Sequence, residues 1–349
     1  MSFDTAAVVV RDAVDRLGRD ALDPQELFHE VSTRLQRVVP HVASGWLTVD
    51  PDTLLPSGTM ESGKPGAMIR AIWRNERIGS DLNSIPSMIG SSVPVATLSQ
   101  YSEAALERSE RARGILRPVG LGDELRGGLF AGGTAWGVFA LYRELGDGPF
   151  TRAERELMAE VAQGVADGLR RSLLRRPAIA DPPVLIPGVV TFDDDGELRS
   201  TTAEAHRLIR RIGGDAASTL YAVAMDAARD PEGARSRVRL SDGRWLLVHG
   251  ARLHGGERGG DADLAVTLLP APAADVASML LRLHGLSVRE LQVAELLMRS
   301  TTTDEIATKL RISPHTLRDH TKSIFEKTGT SSRPQLMALG ADPLAPSIS

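Results

Sequence analysis

The chain has no cysteine. Disulfides, thiolate catalysis and cysteine-based zinc or iron–sulfur sites are thereby excluded. Lysine is scarce as well: of 41 basic residues, only Lys64, Lys309, Lys322 and Lys327 are lysines. No apolar run approaches the roughly 18 residues of a spanning helix. The N-terminus, with Asp4 inside a short apolar stretch, shows neither a basic start nor a cleavage pattern. A cytoplasmic protein without membrane contact is the expectation. A surplus of positive charge is also missing, since the net charge is −4, which argues against coating nucleic acid along the whole length.

Catalytic constellations are missing too. There is no Gly-x-Ser-x-Gly elbow and no His-Glu-x-x-His, and of eight scattered histidines only His249 and His254 are near neighbours. Gly58-x-x-x-x-Gly63-Lys64 matches a phosphate-binding loop up to the lysine, but Pro65 stands where Ser or Thr must bind magnesium, and no strand is read leading into it. Asp193-Asp194-Asp195-Gly196 reads as a β-turn rather than a metal site. No catalytic residue, metal site or cofactor is expected, and the chain does not read as an enzyme.

What is present begins with 349 residues, enough for two or three domains, in an ordinary globular composition of 42% hydrophobic and 25% charged residues. The last sixty residues are the most legible. Ser287-x-x-Glu290 and Thr302-x-x-Glu305 are capping boxes, each opening a short amphipathic helix. Arg311 and Ile312 leave room only for a tight turn before Ser313, an N-cap, and Pro314, suited to the first helical position. In the helix that follows, Leu317, Thr321, Ile324, Phe325 and Thr328 share one face. His315, Arg318, Asp319, Lys322 and Glu326 share the other. Gly329 stops it, and Ser331 or Ser332 caps a fourth helix carrying Leu336, Met337 and Leu339. This is a helix-turn-helix.

Leu286-Ser287-x-Arg289-Glu290, Glu305-Ile306-Ala307-x-x-Leu310, Ile312-Ser313-Pro314-x-Thr316 and Lys327-x-Gly329-x-Ser331-Ser332-Arg333 together resemble the C-terminal DNA-binding domain of the LuxR family of bacterial transcription regulators. The resemblance implies double-stranded DNA as partner, with contacts from Ser313, His315, Thr316, Arg318, Asp319, Lys322, Lys327 and Arg333. Arg318, Asp319 and Lys322 are the implied base readers. Thr316, Lys327 and Arg333 are better suited to phosphates. Thr321, Thr328 and Thr330 depart from the family's aliphatic pattern, and their hydroxyls need partners, commonly the carbonyl one turn back. A homodimer is expected, with Leu336, Met337 and Leu339 at its interface or, in the blander reading, completing the domain's own core.

Residues 1–176 read as two helices, a strand over Gly45 to Val49, irregular connections, a helix over Glu103 to Leu116, a hairpin turning at Gly132-Gly133, and a long helix capped by Thr151 with a stripe from Leu157 to Leu173. That architecture resembles a GAF-type sensor domain. After a linker through Pro182-Pro183, residues 183–270 show two strands, two helices and three strands, an order similar to a PAS domain. His254 to Asp263 reads as a mobile loop. The expected fold is a multidomain chain of α+β sensor domains followed by an all-α four-helix helix-turn-helix domain at 280–340. The expected function is operator binding under control of the front domains, with a small-molecule effector. The alternative is a helix-turn-helix that docks on RNA polymerase while the front domains serve only as scaffold.

Overall fold

In the computed structural model the described residues are 2–20, 22–63, 65–78, 81–90, 94–175, 184–253, 263–299 and 302–339. The chain divides into two compact units. Met1–Ala131, Ala135–Arg175 and Leu185–Pro270 form the first, and the second includes Ala271–Ser349.

The first unit opens with α1 (Phe3–Leu17) and α2 (Pro24–Leu35). Asp23 Oδ1 accepts from the N–H groups of Gln25 and Glu26, at 2.8 and 3.0 Å, and Glu26 returns its carboxylate to the Asp23 N–H. This reciprocal cap starts α2, and its apolar stripe of Leu27, Phe28, Val31 and Leu35 is buried. There follow β1 (Ala43–Val49), β2 (Pro56–Ser62), α3 (Pro65–Ile78), α4 (Ile85–Gly90), β3 (Val95–Thr97), α5 (Glu103–Arg108), β4 (Leu121–Ala131), β5 (Thr134–Glu144) and α6 (Arg152–Leu174). The strands form one antiparallel sheet in the order β2-β1-β5-β4-β3. Gly132 and Gly133, with φ of 62° and 75°, make the turn between β4 and β5. Trp46 of β1 stacks between Phe28 and Phe139, with ring centroids 5.6 and 5.2 Å away.

Several elements depart from the sequence reading. The stretch read as irregular contains β2, an edge strand opened by Pro56, where a missing N–H costs no ladder bond. β2 occupies most of the Gly58 to Lys64 motif rather than leading into it. Gly58 is paired with Thr48 inside the sheet, so residues 58–62 are strand and not a phosphate cradle; Lys64 lies outside the described residues. The helix expected over Glu103 to Leu116 breaks at Ser109, which caps a separate π-helical segment, Glu110–Leu116.

The second sheet comes from β6 (Gly188–Phe192), β7 (Leu198–Thr201), β8 (Ala234–Arg239), β9 (Trp245–Arg252) and β10 (Leu264–Pro270), with α7 (Ala203–Ile209) and α8 (Ala216–Ala227) between β7 and β8. Its order, β7-β6-β10-β9-β8, repeats that of the first sheet when strands are counted within each half. Asp193 Oδ1 accepts from the N–H groups of Asp195 and Glu197, and Gly196 has φ of 81°, so the acidic run is a turn. Most of the linker expected before this sheet, and residues 254–262 of the expected loop, lie outside the described residues.

The two sheets share one compact unit rather than standing apart. A single apolar core runs from Leu47, Val49 and Val138 of the first half to Val190, Leu220 and Val248 of the second. Across the seam Arg237 grips Asp50, with Nε to Oδ2 at 2.8 Å and Nη2 to Oδ1 at 2.7 Å, and also meets Asp52 at 2.6 Å. Burial alone would raise the Asp50 pKa, but the Arg237 guanidinium outweighs it and holds the carboxyl below its usual range. Gly214, with φ of 71°, runs so close to β2 that a Cβ there would overlap the Thr59 carbonyl. Thr59 Oγ1 in turn donates to the Asp215 carbonyl at 2.8 Å.

The second unit is helical: α9 (Ala273–Leu283), α10 (Val288–Met298), α11 (Thr303–Leu310), α12 (Pro314–Thr328) and α13 (Arg333–Met337). Leu281, Leu286, Val293, Leu297, Ile306, Leu317, Ile324 and Leu336 form its core. Among the described residues no helix is long and apolar enough to cross a membrane.

Candidate nucleic-acid interface

Each helix start expected from the sequence is built as read. Ser287 and Thr302 accept from the N–H groups of Glu290 and Glu305, whose side chains answer the cap N–H groups at 2.6 and 2.9 Å. Between α11 and α12 the backbone turns on Arg311, which takes the left-handed conformation at φ 53°. Ile312 N–H then closes onto the Ala307 carbonyl at 3.0 Å. Ser313 Oγ accepts from the Thr316 N–H at 3.1 Å and starts α12 at Pro314.

Leu317, Ile324 and Thr328 of α12 point into the core. Ser313, His315, Thr316, Arg318, Asp319 and Lys322 are all exposed, at the N-terminal end and along the outer face. His315 Nδ1 lies 3.0 Å from Asp319 Oδ2, and Lys322 Nζ lies 3.9 Å from Glu326 Oε1. Arg318 reaches back towards the Pro314 carbonyl at 3.4 Å. These contacts are weak or solvent-exposed, so the side chains remain exchangeable for a partner's groups. The threonines that depart from the aliphatic pattern find partners as anticipated. Thr321 and Thr328 donate to the Leu317 and Ile324 carbonyls, each at 2.8 Å, and Thr330 lies 2.8 Å from Thr328.

Residues 284–339 match the family described as bacterial regulatory proteins, luxR family. The second unit carries a luxR-family domain. No curated protein matches the chain. Among solved structures, Escherichia coli SdiA is 12% identical over 96% of each chain, with a TM-score of 0.40. A GAF domain/HD domain protein from Geobacter sulfurreducens is 16% identical over 42% of this chain and 93% of its own, at a TM-score of 0.32. The Vibrio cholera VqmA–ligand–DNA complex is 18% identical over 44% and 81%, at 0.22. TM-scores this low carry no functional argument.

Four expected contact residues of the luxR-family domain are engaged within it. Lys327 Nζ meets Glu290 Oε2 at 2.7 Å, and Arg333 Nε donates to the Leu297 carbonyl. Leu336 lies wholly in the core, and Leu339 packs against it. Met337, 44% exposed, is the outward-facing member of that trio. Glu290 is the residue whose full role the sequence hid. Its place in a capping box was legible, but its carboxylate also accepts from Ser323 Oγ at 2.6 Å and from Lys327. Burial would raise its pKa, yet the donors Lys327, Ser323 and Ser287 bring it down to about 2. Glu290 thus ties the start of α10 to the last turns of α12. No group of three or more His, Asp or Glu among the described residues could hold a metal ion.

Proposed function

We propose that this chain is a sequence-specific regulator of transcription that binds operator DNA through α12. The observation that carries the proposal is the exposed polar face of a helix capped at Ser313 within a luxR-family domain. Arg318 is suited to bidentate pairing with guanine O6 and N7, Asp319 to accepting from cytosine N4, and Lys322 to a neighbouring base edge. Ser313, His315 and Thr316, at the positive end of the helix, are suited to phosphate oxygens. Lys327 and Arg333, expected as phosphate ligands, are assigned mainly to bracing, with their charges directed at Glu290 and at the Leu297 carbonyl.

One helix of this length reads few base pairs, and paired half-sites are the usual remedy. We therefore assign a two-fold dimer on DNA, with Met337 as its exposed apolar contact. Residues 1–176 and 183–270 are proposed as GAF-like and PAS-like sensor modules, and their repeated strand order supports that division. An effector controls the helix-turn-helix only if it favours one arrangement of the chain over another. Footprinting of purified full-length protein, without polymerase, tests the proposal. Protection of an inverted repeat is expected. Protection that appears only with polymerase transfers the assignment to a polymerase-docking protein.

A further inference from the structure

Within the first unit a cavity of about 120 Å³ sits at the seam of the two halves, lined by residues of α2, β1, β2, α6, β8 and β9. Its size has a physical meaning: an engineered apolar cavity of about 150 Å³ takes up benzene. The seam cavity therefore suits one small ring or a short chain. Phe28, Leu173 and Trp245 give it apolar walls, while Ser57, Ser241 and Arg239 give it polar ones. It is neither a purely apolar void nor a water channel.

Arg239 decides the ligand's charge. Its Nη2 donates to the Arg175 carbonyl, but its Nε is buried and makes no hydrogen bond. Burial, and then the neighbouring Arg175 charge, holds the Arg239 pKa below its ordinary range, so an anion would be welcome there. Two carboxylates act on Arg239 as well, Asp23, which also lines the cavity, and Asp242, and both are already engaged by other donors. Asp23 Oδ1 accepts two N–H groups at the start of α2, and Asp242 is paired with Arg211 and Arg244. A hydrogen bond from a guanidinium to a carboxylate is charge-assisted and about twice as strong as one to a neutral acceptor, which an uncharged ligand cannot match.

We propose that the seam cavity is the effector site for a small monocarboxylate, with its carboxylate on Arg239 and its ring or short chain against Phe28, Leu173 and Trp245. This rests on the reading of the front unit as a sensor and adds the chemical class and the place of its ligand. Because both halves line the cavity, occupancy changes how they pack at the seam.

Benzoate and hexanoate are the probes, titrated calorimetrically into the purified full chain, with benzyl alcohol as the uncharged counterpart. Saturable binding of at least one acid is expected, with benzyl alcohol weaker by about ten-fold or more. Arg239→Gln should weaken the acid about ten-fold or more, Arg239→Lys should retain part of the affinity, and Ser241→Trp, at an exposed wall position, should abolish it. Circular dichroism establishes that each variant is folded. Absence of binding by either acid at about 10 mM, or equal binding to Arg239→Gln, overturns the site. Operator affinity separates this outcome from the sensor reading. Acid binding that leaves operator affinity unchanged keeps the site and removes its regulatory role. Operator affinity that responds to cell extract in wild type and Arg239→Gln alike, with no acid bound, keeps a sensor and removes this site.

Discussion

Arg111, Arg126 and Arg237 in the first unit are 1%, 3% and 6% exposed, whereas Arg318 and Lys322 on α12 stand in solvent. The buried set is matched internally. Arg111 meets Glu76 and, at 3.2 Å, Glu124; Arg126 meets Glu76 and donates to the Asn83 carbonyl at 3.1 Å. The exposed set has loose neighbours one turn away, the Pro314 carbonyl at 3.4 Å from Arg318 and Glu326 at 3.9 Å from Lys322. Charge taken out of water must be answered inside the protein, so it serves to fix one arrangement of the fold. Charge left in water costs little to hold and little to redirect, so it stays available to a partner. The same residue type, arginine, therefore has different work in the two units.

The largest effect should come from removing one partner of the buried set. Arg111→Ala leaves Glu76 and Glu124 desolvated and should cost about 3 to 5 kcal/mol, read by urea unfolding of the full chain. A cost comparable to that of an exposed arginine would erase the contrast between the units.

Two carboxylates sharpen it through pH. Glu61 is pushed up to about 7, by burial and then by Asp215, from an ordinary 4.5. Its folded form holds the proton more tightly than the unfolded chain does. It therefore contributes stability that is fully present below about pH 4.5 and is lost as pH rises through about 7. Glu61→Gln should accordingly stabilise the first unit by about 1 to 3 kcal/mol near pH 8 and have little effect near pH 4. Glu290 has the opposite sign, since its pKa falls from 4.5 to about 2. Its stability is present above about pH 4.5 and lost as pH falls through about 2. Glu290→Gln should cost the luxR-family domain about 1 to 3 kcal/mol at neutral pH, with wild type and variant converging near pH 2. Thermal unfolding across pH distinguishes the two, and parallel curves would contradict both assignments.

Arg318→Ala should leave unfolding unchanged and weaken operator binding by about 1 to 3 kcal/mol, relaxing preference at one base position. Binding to a site library at fixed salt measures this. Unchanged base preference would remove Arg318 from the readout. Smallest of all, Thr321→Val deletes a hydroxyl that donates to the carbonyl one turn back, and stability should shift by no more than about 0.5 kcal/mol. A larger loss would show that this hydroxyl is a structural bond rather than a tolerated replacement for an aliphatic side chain.

Local chemistry determined what was legible from the sequence. The caps at Thr151, Ser287, Thr302 and Ser313 act within three residues of themselves, and each is built as a cap. The stripe from Leu157 to Leu173 is buried because a helical period places those side chains on one face. The exposed face of α12 follows from the same period. Tertiary structure decided what depends on partners distant in the chain. β2 has little apolar alternation and becomes a strand because β1 offers it a ladder, with register from Ser44 opposite Ser62. Glu290 reaches Lys327 across 37 positions, and Arg237 reaches Asp50 across 187. Sequence periodicity carries no information about such pairs, because nothing in the local backbone brings them together. Only the packed seam shows that the two sensor-like stretches form one unit, and only there does Arg239 meet the cavity.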